Sequence, residues 1–247
     1  MKRVYFSLVL LCLCFVNIGY SYTVDEVFQN FKTAYGKCSN FSADFEETTL
    51  YKTRKSLSRG RFTFGKPNLL NMEYVSPKDL NKVVKTIVLD GEFVWSYTPL
   101  LNEVNKQKLP NQQRQEILPG TGASLEDLSS NWNMKLVPDE AANKKGIYQI
   151  HLTPKQNLLN RSANQNNKGD DIQRNQEGGG VKEILEIWVN KSEWFPVQFG
   201  YVTVYEDGSR RNVVMKLSNI VRDKKLPNDV FKFVIPKDAE IIDLSEN

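Results

Sequence analysis

Arg61-Phe62-Thr63-Phe64-Gly65-Lys66-Pro67-Asn68-Leu69-Leu70-Asn71-Met72-Glu73-Tyr74 reads as two short strands around a turn. Phe62 and Phe64 alternate with polar residues before the Gly-Lys-Pro-Asn break, and Leu70, Met72 and Tyr74 alternate after it. Successive strand side chains point to opposite faces, so each strand carries one apolar side. Leu89-Asp90-Gly91-Glu92-Phe93-Val94-Trp95-Ser96-Tyr97-Thr98-Pro99 repeats the pattern. Asp90-Gly91 is a strong hairpin signal, and Phe93, Trp95 and Tyr97 share a side after it.

The same rhythm extends in both directions. Phe41, Ala43 and Phe45 alternate, and residues 83–89 are rich in Val and Ile. Further strands are predicted over 147–152, 183–189, 196–205, 211–221 and 230–235, with Glu206-Asp207-Gly208-Ser209 as a second hairpin turn. A run of meandering strands predicts a mainly β chain with some α: an antiparallel sheet, strongly curved or nearly closed. Ahead of the strands, Thr23-Val24-Asp25-Glu26 fits a capping box. Val24, Val27, Phe28, Phe31 and Tyr35 then fall at helical spacing, and Gly36 is a natural stop, which predicts an amphipathic helix over 24–35. Residues 119–131 read as a loop and a short helix with Leu125 and Leu128 facing inward. Residues 155–180 are mostly Asn, Gln, Lys, Asp, Arg and Gly and end in Gly178-Gly179-Gly180; such a stretch buries too little surface to order itself.

At the N-terminus, Met1-Lys2-Arg3 precedes an apolar run from Val4 to Val16, and Gly19 and Ser21 are small residues placed for cleavage after Ser21. This is the pattern of a signal peptide over 1–21, leaving a single domain over 22–247. A lipoprotein signal is the competing reading, but Leu stands before each candidate, Cys12 and Cys14. Cys38 is then the only cysteine of the mature chain, so no internal disulfide forms and a packed core must supply stability. An inert thiol is the plain reading of Cys38, a reactive or intermolecular one the alternative. Loss of Lys2 and Arg3 lowers the formal charge by two, from +4 to +2. So small an excess gives no reason to expect nucleic acid.

Catalytic equipment is sparse. His151 is the one histidine. It alternates with Tyr148, Ile150 and Leu152 and so points away from their face, toward solvent. No Gly-x-Ser-x-Gly accompanies it, no cysteine or histidine cluster has metal-ligand spacing, and no phosphate- or dinucleotide-binding glycine pattern occurs. Glu46 and Glu47 are neighbours on a strand and so face opposite ways. An enzyme is not expected, and no cofactor or metal is implied.

The aromatic faces remain. A filled core is the ordinary explanation, and a ligand cavity is the alternative. A single curved sheet with few helices has a concave face too wide to fill alone, as in barrels that hold one small ligand. On the cavity reading the lining is Phe45, Phe62, Phe64, Leu70, Met72, Tyr74, Phe93, Trp95, Tyr97, Tyr148 and Ile150. The covers are the helix bearing Val27, Phe28, Phe31 and Tyr35 and the short helix bearing Leu125 and Leu128.

Gly65-Lys66-Pro67-Asn68-Leu69-Leu70-Asn71 and the run from Asp90 to Pro99, with its Asp-Gly-x-x-x-Trp-x-Tyr-x-Pro spacing, resemble the periplasmic lipoprotein carrier family, LolA. Phe41-Ser42-Ala43-Asp44-Phe45 and Val230-Phe231-Lys232-Phe233-Val234-Ile235-Pro236 also look like family segments. The resemblance implies an unclosed, half β-barrel covered by lid helices over a hydrophobic cavity. It implies carriage of acylated lipoproteins across the periplasm, from an inner-membrane lipoprotein-releasing ABC transporter to an outer-membrane lipoprotein acceptor, and a monomer is expected. It further implies a latch, in which the basic residue before the Pro bonds the lid when the cavity is empty. The family usually has Arg there and this chain has Lys66, a single flexible ammonium in place of a planar fork of donors. The segment 155–180 is also atypical.

Two other readings share the fold. One is a regulatory module that senses lipid or a membrane protein; such proteins commonly carry a further domain. The other is an outer-membrane acceptor of similar shape, which would itself be lipidated.

Overall fold

The computed structural model describes residues 22–109, 124–155, 180–205 and 207–245. The expected leader over 1–21, the loop residues 119–123 and nearly all of the polar segment 155–180 lie outside the described residues.

The first element is helix α1 (Val24–Lys37). Thr23 caps it: the Glu26 amide donates to Thr23 Oγ1 at 3.2 Å, and the Thr23 amide donates to the Glu26 carboxylate at 2.8 Å. The capping box is therefore reciprocal, and two orphan donors are satisfied. The helix runs through Gly36, expected as its stop, and ends where Cys38 turns extended. Gly36 has open space about its Cβ position and stays helical; the chain leaves the helix only to begin the first strand.

Twelve strands follow: β1 (Asn40–Tyr51), β2 (Arg54–Gly65), β3 (Leu69–Ser76), β4 (Asp79–Leu89), β5 (Phe93–Thr98), β6 (Glu103–Lys108), β7 (Trp132–Val137), β8 (Ile147–Pro154), β9 (Gly180–Asn190), β10 (Phe195–Tyr205), β11 (Arg210–Arg222) and β12 (Glu240–Asp243). Helices α2 (Leu125–Asn131) and α3 (Glu140–Lys144) flank β7. All strands join one sheet in the order β12-β6-β5-β4-β3-β2-β1-β11-β10-β9-β8-β7. Every pairing is antiparallel except β12 on β6. The sheet does not close: it is a curved half-barrel whose concave face receives α1 and α2.

The predicted strand over 230–235 is absent. Residues 224–239 instead cross the opposite face of the sheet without ladder pairing, and only Glu240–Asp243 pairs, as β12. The Val230 carbonyl accepts from Asn71 Nδ2 at 2.7 Å. The Phe231 ring lies so close to Gly65 that a Cβ there would meet it at 2.8 Å. Phe233 stacks on Trp95, with centroids 5.3 Å apart and an interplanar angle of 14°. The apolar alternation of that segment serves packing onto the sheet face rather than membership of the sheet. Strands β6 and β12 carry too little alternation to be predicted, whereas β7 was readable: its Trp132, Met134 and Leu136 alternate with polar residues and pack against the core.

Candidate functional site

Register decides which side chains share the concave face. Phe64 pairs with Leu70, and Leu70 with Leu89. Phe62 pairs with Met72, and Met72 with Ile87. On the other wing, Met215, Phe199, Ile187, Ile150 and Leu136 form one continuous row from β11 to β7. Directly opposed residues on neighbouring strands point the same way, so these rows make one apolar surface.

Helix α1 lies on that surface. Val27, Phe28, Phe31 and Tyr35 are all buried in a single core with Phe41, Phe45, Phe62, Phe64, Met72 and Ile150. Tyr35 is the hub. Its ring stacks on Phe195 at 6.0 Å and meets Phe41 at 6.2 Å and Phe64 at 6.4 Å. Leu125 and Leu128 of α2 are buried in the same core, and Lys32 of α1 bonds Glu126 of α2 at 3.0 Å, tying the two helices together. Leu70, Tyr74 and Tyr148 are half-buried against its margin. The sites expected to line a hollow are thus filled by the side chains of the helices expected to cover it.

Phe93, Trp95 and Tyr97 are not part of this face. Val88 pairs with Trp95 and Ile87 with Ser96, so β5 turns Val94 and Ser96 inward and its three aromatics outward. Alternation fixes a period of two but not which face is buried, and one residue of register exchanges the two sides. The outward rings make a second, smaller core with Val88, Val104 and the C-terminal segment. The Lys106 ammonium sits 4.3 Å from the Phe93 ring centroid and 3.2 Å from Asp243 of β12. Trp95 Nε1 donates to Asp90 Oδ2 at 2.7 Å. Burial alone would raise the Asp90 carboxyl, but the N–H groups of Phe93, Trp95 and Glu92 outweigh it and hold the group below its ordinary value. The Asp-Gly-to-Pro run is therefore a structural clasp.

Lys66 stands where β2 ends. Its Nζ donates to the Gly36 carbonyl, in the last turn of α1, at 3.0 Å, and lies 5.1 Å from the Tyr35 ring centroid. Helix C-terminal carbonyls lack intrahelical donors and carry partial negative charge, so a cation is favoured there.

Glu47, Tyr22 and Trp194, which the sequence does not place in the lining, join the expected Phe45, Tyr74 and Tyr148. Glu47 pairs with Met215 on the ladder, which places a carboxylate among apolar rows. Burial pushes its carboxyl up, with Arg211 and Lys85 pulling against the shift. The Tyr74 hydroxyl is raised well above the ordinary phenol range, first by burial, then by Glu47 and Tyr201. Phe45 and Tyr74 meet edge to face at 5.1 Å across Gly60. Tyr22, Tyr148 and Trp194 form an aromatic cluster beside the start of α1. Strand alternation gives Glu47 the same face as Phe45, the one signal that could have found it.

His151, expected to be solvated, is instead half-buried on the outer face, with Nδ1 3.8 Å from Glu186. Gln149 holds the same carboxylate at 3.0 Å. Cys38 is buried and donates to the Asn40 carbonyl at 3.0 Å. Burial, then Asp223, raise its thiol and keep it protonated. A cleft of about 790 Å³ opens beside α1, lined by Lys37, Cys38, Glu193, Trp194 and Arg222 among others. It lies outside the concave face, and the Arg222–Glu193 ion pair at 3.0 Å makes it a poor site for hydrocarbon. No described helix is long and apolar enough to cross a membrane, and no His, Cys, Asp and Glu cluster among the described residues could hold a metal.

Residues 36–176 match the family described as outer membrane lipoprotein carrier protein LolA. The chain belongs to the LolA family. An outer-membrane lipoprotein carrier protein of Haemophilus ducreyi is 28% identical over 207 residues, which span 83% of this chain and 79% of that one. The protein of the same name from Neisseria meningitidis is 32% identical over 119 residues, covering 47% of this chain and 51% of that one. Among solved structures, a LolA superfamily protein from Nitrosomonas europaea aligns with 86% of this chain and 99% of its own at 14% identity, with a TM-score of 0.40. In this LolA-family chain the fold is the expected half-barrel, with Tyr35 of α1 buried against the sheet.

Proposed function

We propose that the chain is a periplasmic carrier that shields the acyl chains of lipoproteins on its concave face, and that the structure is its closed, empty form. The observation that supports this is the placement of the α1 stripe. Four large side chains, Val27, Phe28, Phe31 and Tyr35, lie where cargo would lie. Lifting them exposes surface worth roughly 1.5–3 kcal/mol apiece, about 6–12 kcal/mol together. About a dozen buried methylenes at ~0.8 kcal/mol each return roughly 10 kcal/mol. Hydrocarbon can therefore replace the helix at nearly equal energy, which a reversible carrier needs. Lys66 is the latch of the closed form, bonding the end of the lid where the family usually uses Arg. An inner-membrane ABC transporter supplies the cargo and an outer-membrane acceptor receives it; the carrier acts as a monomer and performs no catalysis.

Site-specific photocrosslinking in a Gram-negative periplasm tests this. Benzoylphenylalanine at Met72 or Met215 should capture acylated lipoprotein, and at Trp95 or Tyr97, on the opposite face, should not. Capture from both faces alike, or none from the concave face, rejects the carrier reading. Capture of a transmembrane signalling protein with no lipoprotein would replace it with the sensory one.

A further inference from the structure

We infer that one end of the half-barrel is a docking surface for an anionic lipid bilayer. Because neighbouring strands run antiparallel, the β1–β2, β3–β4, β5–β6 and β10–β11 turns emerge at the same end; the pairing of Tyr51 with Arg211 brings the first and last of them together. These turns raise apolar side chains into solvent. Leu100 is 92% and Leu101 64% exposed at the β5–β6 tip, and Leu80 is 60% exposed beside the β3–β4 tip. Leu50 and Leu57 are exposed on the β1–β2 hairpin. Val221, by contrast, is the exposed large hydrophobic at the other end of β11. The C-terminal segment returns to the same end, where Asn102 Nδ2 donates to the Asp238 carbonyl at 2.7 Å, and it adds exposed Val234 and Ile235.

Basic residues surround these tips. Lys52, Arg54 and Lys55 flank the first turn, Lys78 and Lys82 the second, and Arg210 the fourth, all of them exposed. Counted the same way, the described acids beside those turns are Asp79, Glu103 and Asp207, fewer than the six basic residues, and Asp207 already faces Lys52 at 3.7 Å; the C-terminal segment adds Lys237 against Asp238 and Glu240. Leucines in solvent gain nothing for a monomer, and apolar tips ringed by cations suit an interface in which chains enter the acyl boundary while cations gather anionic headgroups. The leucines stand on separate turns with lysines between them. That arrangement fits a fluid surface better than the continuous groove or face a protein partner would fill. Attachment of this kind is peripheral and needs no spanning helix. It also turns the half-exposed part of the concave face, at Tyr74, Tyr201 and Met215, toward the bilayer.

Co-sedimentation of the purified empty protein with protein-free vesicles tests the inference without reference to cargo. Vesicles containing phosphatidylglycerol should bind it, high salt should release it, and vesicles of phosphatidylcholine alone should bind much less. Reversing Lys52→Glu with Lys55→Glu should weaken binding at least about tenfold. Leu100→Asp with Leu101→Asp should weaken it comparably, and Lys144→Glu with Lys145→Glu on α3, in the β7–β8 connection, should leave it unchanged. Thermal melts check that each variant is folded, and the salt curve of the unaltered protein needs no variant. Equal binding by all forms, indifference to phosphatidylglycerol, or binding only to native membranes that contain protein would each overturn it, the last in favour of a protein partner.

Discussion

Trp95 and Phe233 stack 5.3 Å apart on the face of the sheet turned away from α1, although 138 residues of sequence separate them. The pair fastens the C-terminal segment to β5. Trp95→Ala removes that stack and part of the outer core, and should lower stability by about 2 kcal/mol. Urea denaturation measures the loss. Lipoprotein capture per folded molecule should not change, since the ring lies outside the concave face.

Lys66 and Gly36 give a second prediction. Lys66→Met keeps the aliphatic stem over Tyr35 and loses the ammonium that bonds the helix end. Amide exchange in the last turn of α1 should quicken about fivefold, equivalent to ~1 kcal/mol. Lys66→Arg should restore protection. Unchanged exchange in the Met variant would mean that the lid is held by its apolar stripe alone.

Gly60 is required by close approach rather than by backbone angle. A Cβ there would collide with the Glu73 carbonyl and come within 2.6 Å of the Phe45 ring. A backbone oxygen in a ladder cannot step aside, so Gly60→Ala should cost about 3 kcal/mol, the upper end for overpacking. Circular dichroism melts should show the loss, along with a weaker near-ultraviolet signal from the displaced Phe45 and Tyr74.

Glu47 makes stability depend on pH. Its folded-state carboxyl titrates above the ordinary 4.5, chiefly because of burial. Below that value both states are protonated and nothing is lost. As pH rises through it, the unfolded chain releases its proton first, and the folded state falls behind until its own raised pKa is passed. Glu47→Gln removes this loss. Urea midpoints of the two forms should coincide near pH 4, separate in favour of Gln as pH rises, and then run parallel.

Much of the fold was legible because periodicity and turn chemistry are local. Thr23 and Glu26 announced α1, its stripe named the buried residues, and Asp90-Gly91 placed a hairpin. Phe62, Phe64, Leu70 and Met72 share a face as expected, because one turn joins their strands. The face of β5 was not legible. Nothing in Phe93-Val94-Trp95 says whether the aromatic or the aliphatic side turns inward; the pairing of Val88 with Trp95 settles it, and that is a tertiary fact. The segment at Val230 failed for a related reason. It alternates like a strand, but Asn71 and Gly65 engage it from the side and no ladder accepts it. Sequence shows Glu47 only as half of an unusable carboxylate pair, whereas its importance lies in its burial beside Met215 and Tyr74, which Arg211 and Lys85 offset only in part.

The sheet is clad on both sides by separate parts of the chain: α1 and α2 within, the stretch from residue 224 to β12 without. A door swings freely only if the frame does not lean on it. Here the wall is braced from behind, by Phe231 against Gly65 of β2 and Phe233 against Trp95 of β5, and is edged by β12 on β6, so on the proposed carrier reading departure of the helix would leave the wall standing and the opening in the same shape for whatever enters next.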